Sequence, residues 1–263
     1  MSDQPSAAPS TAPVLESMNV GMILDKAIHL YTCNFLLLIA ITAIPQVIYA
    51  GGSMLLTSAP AAPGAGLAGL VLLLLSVAVN GIGGGAMAMV VGSRYLGKDV
   101  TFTSAYLAAL RHAGPLIGGT LLAALFIGLG AMGLLVPGLI LAISYCLISP
   151  VIMLEGVKGA KSLKRSRLLI KGYRWQAFLL YLLYWCAIYA GILVLAVIVG
   201  AVAGLGVRET WMRYATLLLT PVVTVLLGPF SAVLSVLLYY SQKIRKESFD
   251  LAFLAEAMAA HAT

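Results

Sequence analysis

The stretch Glu155–Trp175, EGVKGAKSLKRSRLLIKGYRW, carries Lys158, Lys161, Lys164, Arg165, Arg167, Lys171 and Arg174, seven of the sixteen lysine and arginine residues in the chain. It interrupts a sequence that is 61% apolar and only 10% charged, with a mean hydropathy of +1.02. A basic block of this kind can be a binding patch, part of an active site, or a topology signal, and its flanks decide the fold. Before it runs the apolar segment Gly138–Leu154, and after it a second from Ala177 to about Ala203. Runs of about twenty apolar residues have the length needed to cross ~30 Å of hydrocarbon as a helix.

Working outward, four more apolar segments stand out: Phe35–Ala50, Leu67–Val91, Leu116–Leu135 and Tyr214–Tyr240. Barrel strands would be about ten residues of alternating pattern, so these continuous runs are read as helices. The sequence therefore predicts an all-α integral membrane protein with six transmembrane helices. The first and fourth spans are short, and need neighbouring residues or a thinned bilayer to cross. Residues 18–258 form a single six-span membrane domain in this reading. Residues 1–17, rich in Ser, Pro and Ala, form a disordered tail without the basic start and apolar core of a signal peptide, and 259–263 a frayed end.

The connections alternate in charge. GGSMLLTSAPAAPGAG, between the first and second spans, has none, and the third and fourth are joined by a tight turn at Val136, Pro137 and Gly138. The loop from the second to the third span holds Arg94, Lys98 and Arg111. The basic block joins the fourth to the fifth. With the terminal segments, these two loops hold all the basic residues except Arg208 and Arg213. The positive-inside rule then predicts both termini in the cytoplasm and the spans paired as three hairpins. The net charge of +7 follows from orientation, because the cations lie between spans and form no soluble nucleic-acid-binding face.

Three cytoplasmic segments have helical apolar spacing and predict a collar of short amphipathic helices. Val20, Ile23, Leu24, Ala27, Leu30 and Tyr31 share a face that excludes Asp25, Lys26 and His29. Phe102, Tyr106, Leu107 and Leu110 recur after the hydroxyl residues Thr101 and Thr103, which can cap a helix. Phe249, Leu251, Leu254 and Met258 do the same in the tail. In the basic block, Val157, Ala160, Leu163 and Ile170 can lie toward lipid while the lysines rise along the flanks. Within the spans, Gly81, Gly85 and Gly92 allow close helix packing, and Pro150, Pro221 and Pro229 should kink their helices.

Groups for catalysis are few. The histidines are His29, His112 and His261, and no HExxH, GxSxG or P-loop pattern occurs. Cys33, Cys146 and Cys186 form no CxxC, so no zinc site or disulfide framework is signalled. No cofactor, metal or catalytic residue is expected, and no enzyme. The polar groups of the fourth span, Ser144, Tyr145, Cys146 and Ser149, read as interhelical hydrogen-bonding groups, with substrate contact as the other role. Glu155, at the inner membrane edge, reads as a structural ion pair or helix-end cap, with a general base as the other role. The seven cations of the block read as topology anchors that can also gather anionic headgroups, each contributing on the order of 1 kcal/mol.

Three separated motifs carry a resemblance. ILDKAIHLYTCNF (residues 23–35) presents Leu24, Asp25, Lys26, Tyr31, Asn34 and Phe35. PVIMLEGVKGAKSLKRSRLLIKGYRW (150–175) presents Glu155, Gly156, Arg165, Ser166, Lys171 and Gly172. LLYYSQKIRKESFDLAFLA (237–255) presents Tyr239, Tyr240, Arg245, Lys246, Glu247, Phe249 and Asp250. From about Val20 to Met258 the chain resembles the glycerophosphoryl diester phosphodiesterase membrane-domain family of bacterial multi-span proteins. Thr32 and Cys33 stand where that pattern is often basic. The catalytic barrel after which the family is named needs some 250 further residues, with its own histidine and metal-binding carboxylates. The resemblance thus implies a membrane module without a reaction of its own.

Together these readings predict a non-catalytic scaffold or lipid-associated module of the bacterial cytoplasmic membrane, with anionic phospholipids as partners. A transporter or channel shaped by the kinked helices is the alternative. Self-association as a homo-oligomer is permitted by the small residues.

Overall fold

The computed structural model describes residues 18–58, 65–203 and 209–247. Among these the chain is helical throughout its regular structure: α1 (Val20–Cys33), α2 (Phe35–Ser58), α3 (Ala65–Tyr95), α4 (Phe102–Arg111), α5 (Ala113–Gly133), α6 (Leu135–Tyr145), α7 (Ile148–Glu155), α8 (Ala160–Ile170), α9 (Arg174–Ala203) and α10 (Glu209–Glu247). Six stretches are long and apolar enough to cross a membrane: Phe35–Leu55, Gly66–Tyr95, Ala113–Gly133, Val136–Glu155, Arg174–Ala201 and Leu219–Lys246. The outer surface of the bundle is apolar, with Leu36, Leu70, Leu129, Met132 and Val194 all exposed. That is the surface a multi-pass membrane protein needs, since a soluble chain would bury such side chains. The tail expected at 1–17 and the amphipathic pattern from Phe249 to Met258 lie outside the described residues, as does the frayed end.

Consecutive spans are neighbours: α2 packs on α3, α5 on α6 and α9 on α10, while α10 also meets α2 and α3. The second and third spans meet at two glycines. A Cβ at Gly81 would lie 2.6 Å from Thr120 Oγ1, and one at Gly85 would lie 2.5 Å from Leu116 Cδ1, so both positions require the absence of a side chain. The expected close packing is found there.

The span boundaries differ from the sequence reading in two places. Helix α2 continues through Gly51 and Gly52 to Ser58, where a loop was expected, and Ser53 bonds the carbonyl of Ala50 at 2.9 Å. The fourth span is two helices, with Cys146 and Leu147 between α6 and α7. Pro150 occupies the third position of α7, where an N–H would have no intrahelical partner, so the proline is accommodated by a break before it. Pro229 and Pro221 remain inside α10. Pro45, which the sequence reading did not single out, remains inside α2.

Such breaks leave main-chain carbonyls short of donors, and at Pro45 and between α6 and α7 short helices outside the spans supply them. Pro45 cannot donate to Ile41, and the Tyr106 hydroxyl of α4 donates to that carbonyl at 2.9 Å. Beside the α6–α7 break, the Ser166 hydroxyl of α8 donates to the Ser144 carbonyl at 2.8 Å. One turn before Pro229, the Tyr31 hydroxyl of α1 donates to the Leu226 carbonyl. Burial raises the Tyr31 and Tyr106 phenols above their ordinary values, which keeps both protonated as donors.

The short helices pack differently from the expected pattern in detail. Ile23 and Ala27 of α1 are buried while Asp25 and His29 are exposed, in line with the expected face. In α4 the buried stripe is Ala105 and Ala109, flanked by Phe102 and Tyr106, whereas Leu107 and Leu110 face outward. Alanines at the contact let α4 lie close against α3. Its start is capped as expected, by a reciprocal pair in which Ser104 N–H bonds Thr101 Oγ1 at 3.4 Å and Thr101 N–H bonds Ser104 Oγ at 3.2 Å.

If Tyr106 replaces the bond that Pro45 cannot make, the two residues are coupled. Tyr106→Phe should lower unfolding free energy by about 1–2 kcal/mol in the native background. In a Pro45→Ala background, where an N–H can reach Ile41, the same change should cost measurably less. Denaturant unfolding of the four proteins of this cycle in detergent micelles reads the difference; equal costs would show that the carbonyl bond is not what Tyr106 contributes.

Candidate functional site

The basic block begins with a chain reversal. Helix α7 ends at Glu155, and Gly156 adopts a left-handed φ of 67° while returning its N–H to Ile152 at 3.1 Å. Gly159 is also at positive φ, 59°, and α8 then runs back beside α7. This reversal brings Arg165 onto Glu155 in a two-pronged pair, Nε to Oε2 at 2.7 Å and Nη2 to Oε1 at 2.9 Å. The Tyr239 hydroxyl of α10 donates to Oε1 at 3.0 Å, and Lys243 Nζ stands 3.3 Å from the same oxygen. Lys243 also donates to the Tyr239 hydroxyl at 2.9 Å. The carboxylate is only 10% exposed and surrounded by donors, so it joins α7, α8 and α10 as a structural ion pair. Its donors come from α8 and α10 and crowd Oε1, while Oε2 accepts from Arg165.

The remaining motif residues assemble around this junction. Lys246 donates to the carbonyls of Leu168 and Lys171, the latter at 2.8 Å, closing the C-terminal end of α8. Gly172 provides the left-handed turn that follows, at φ 94°. Arg245 lies over the Tyr173 ring at 4.9 Å and donates to the Met18 carbonyl at 2.9 Å. That same carbonyl accepts from Gln176 Nε2 at 2.8 Å, and the Met18 N–H donates to Ser241 Oγ at 3.0 Å. Asn34 sits at the α1–α2 junction, its side chain bonded to the Leu30 carbonyl at 3.0 Å. Lys26 lies over the Tyr95 ring at 5.8 Å, and Asp25 beside it is exposed. Glu247 is the last residue of α10, and Asp250 lies outside the described residues.

Six of the seven cations of the block, Lys158, Lys161, Lys164, Arg167, Lys171 and Arg174, are exposed, and Arg165 is the one turned inward. Arg167 caps the Tyr145 ring at 5.0 Å. Leu163 and Ile170, expected toward lipid, are instead buried with Ser162, Ser166 and Leu169 against the bundle; Val157 is half-buried and Ala160 exposed. The reason is Ser166, whose bond to Ser144 turns this face inward. Helix α8 therefore covers the end of the bundle with its cations outward.

A second feature lies deeper. A cavity of about 270 Å³ opens among α2, α3, α7, α9 and α10, walled by Thr42, Asn80, Ser149, Tyr181, Thr224 and Ser231 among others. Two interruptions border it directly, at Cys146 of the α6–α7 break and at Gly228 before Pro229, and Gln46 beside Pro45 also lines it. Beside it an apolar groove of about 670 Å³ runs between the α5–α6 pair and α9, lined by Ile127, Leu139, Phe178, Leu182 and Trp185. Cys146, Tyr181, Tyr184 and Ser231 belong to both spaces.

Cys146 and Ser149 were legible as polar groups of the fourth span. The other polar wall residues were not singled out, because each span contributes only one or two to an apolar background; their signal was the recurrence of such residues beside helix interruptions. The Ser144 hydroxyl, expected to bond between helices, instead donates to Ile140 of its own helix at 2.6 Å, and it is the Ser144 main-chain carbonyl that meets α8 through Ser166, beside the Arg167 contact to Tyr145. His29 and His112 lie apart from this cavity, and no cluster of three metal-ligating side chains occurs among the described residues. Comparisons with family models, curated proteins and solved structures returned no match.

Removing one member of the Glu155 cluster should destabilise in a graded way. Glu155→Ala removes the carboxylate that Arg165, Lys243 and Tyr239 share and should cost about 3 kcal/mol, whereas Tyr239→Phe leaves the two-pronged pair intact and should cost about 1 kcal/mol. Thermal unfolding in micelles ranks the variants, and a Glu155 variant as stable as the native chain would remove the cluster from the account of the fold.

Proposed function

We propose that this chain is a non-catalytic, lipid-associated module of a bacterial cytoplasmic membrane, akin to the membrane domains of glycerophosphoryl diester phosphodiesterases, with its spans in three hairpins and both termini in the cytoplasm. The observation that carries this reading is the row of six exposed cations on and around α8, held at one end of the bundle by Arg165 and Lys246. Helix α10 spans about 58 Å at 1.5 Å per residue. Of the two cations outside the basic loops and terminal segments, Arg213 falls in the first turns of α10, at its other end, and Arg208 lies outside the described residues. Such asymmetry sets orientation, and cations at the inner surface attract anionic headgroups.

A catalytic role finds no support in the Glu155 site, where every carboxylate contact is a structural one. Transport is a second reading favoured by one observation, the polar cavity between the fourth and sixth spans beside their interrupted backbones. Access decides it. A Thr42→Cys variant labelled by small thiol reagents from both faces of the membrane would support transport, and protection from both faces would count against it.

Replacing the six exposed cations by glutamine while keeping Arg165 should reduce the anionic lipid retained on the purified protein more than tenfold, given about 1 kcal/mol for each cation. The native chain should lose the same lipid as salt is raised. Native mass spectrometry of the two proteins measures this, and an unchanged lipid complement would end the lipid part of the proposal. Orientation is checked separately: Cys33, which is exposed at the end of α1, should react with an impermeant maleimide in inverted vesicles and be protected in right-side-out ones.

A further inference from the structure

The polar cavity and the apolar groove adjoin each other and differ in chemistry. Their shared residues, Cys146, Tyr181, Tyr184 and Ser231, form the boundary between a hydrogen-bonding chamber and a hydrocarbon-like slot. Both are of the order of the ~300–1,000 Å³ sites that hold small molecules, the chamber at the lower edge of that range. A molecule that fills both must be polar at one end and apolar along the rest.

The polar end can be specified further. Among the described residues, the cavity lining includes no Asp, Glu, Lys, Arg or His. A phosphate or ammonium head placed there would lose its hydration without a partner charge, which excludes a charged lipid from this chamber. The hydroxyl protons on α2 and α10 are already committed within the protein: Thr42 donates to Leu38 at 2.9 Å with Met87 Sδ at 3.5 Å as a second acceptor, Ser231 to Gly228 at 2.8 Å and Ser235 to Ala232 at 3.0 Å. Their oxygens therefore offer acceptor lone pairs. Across from them, Tyr181 and Tyr184 of α9 are within hydrogen-bonding reach of Ser235 and Ser231, while Gln46 and Asn80, the latter with one N–H given to the Ser76 carbonyl at 2.8 Å, bring amide donors to the lining. A guest must both donate and accept, as a hydroxyl does.

We propose that this space binds a neutral, hydroxyl-bearing lipid of the acylglycerol type, its hydroxyl end in the chamber and its acyl chain in the groove between α6 and α9. The inference rests on the reading of the chain as a lipid-associated module. It uses none of the α8 cations, so the two can fail separately.

Trp185, a groove residue, reports on the acyl chain directly. In a Trp175→Phe, Trp211→Phe background of the full chain in nanodiscs, diacylglycerol brominated along its acyl chains should quench Trp185 saturably at a few mole per cent. Phosphatidate with the same brominated chains should quench only in proportion to its bulk concentration, because Trp185 is also half exposed to the surroundings. Tyr184→Phe and Ser231→Ala should each weaken the saturable phase about three- to tenfold, the loss of one hydrogen bond. Leu139→Trp, which fills the groove without touching the chamber, should abolish it in a background where the added indole is accounted for by its unquenched emission.

Equal quenching by the two lipids would overturn the proposal, as would a saturable phase indifferent to Tyr184→Phe and Ser231→Ala. If diacylglycerol fails to saturate while anionic lipid still co-purifies through α8, the inference falls and the module reading stands. If the protein with six glutamines keeps the saturable phase, the chamber is confirmed as independent of the basic face.

Discussion

A backbone carbonyl without a donor is the constraint around which this fold is arranged. In hydrocarbon no water replaces a missing bond, so an interrupted span holds only if protein supplies the partner. Two interruptions are answered by side-chain hydroxyls from helices outside the spans, Tyr106 for Ile41 and Ser166 for Ser144, and Tyr31 bonds the Leu226 carbonyl in the turn before Pro229. The short helices are thereby fixed in rotation as well as in place. Helix α8 shows the effect, since the inward turn of Ser166 is what turns its cations outward.

The Glu155 cluster works on the same end of the bundle by charge. Its ring of donors joins two elements adjacent in sequence, α7 and α8, to α10, which arrives last in the chain. Half-buried ion pairs add little net stability against an apolar substitute, yet they discriminate strongly against misplacement, because a displaced partner leaves an uncompensated charge. The cluster is best understood as setting the register of α10 against α8. That register in turn places Lys246 on the end of α8.

Much of this was legible in the sequence, and the rest was hidden for physical reasons. Six spans, the glycine contacts at Gly81 and Gly85, the Thr101 cap and the pairing role of Glu155 follow from run length, small residues and charge placement. The α8 face did not follow, because helical periodicity identifies an apolar stripe without saying whether lipid or protein covers it. Leu163 and Ile170 suit either. Pro45 carried no separate signal, since nothing local announces that a tyrosine sixty residues onward will take the carbonyl it frees. The cavity was hidden for the same reason: Thr42, Tyr181 and Ser231 are unremarkable singly, and only packing brings them together.

The Met18 clasp has a consequence for how the molecule is made. Its carbonyl is held by Gln176 and Arg245, and its N–H by Ser241, so the residue that leads into α1 is fastened by partners up to 227 positions later. During synthesis α1 has no permanent seat until the last helix has entered the bundle. The five earlier spans must therefore persist as an unlatched intermediate, and the arrival of α10 is the event that seats α1.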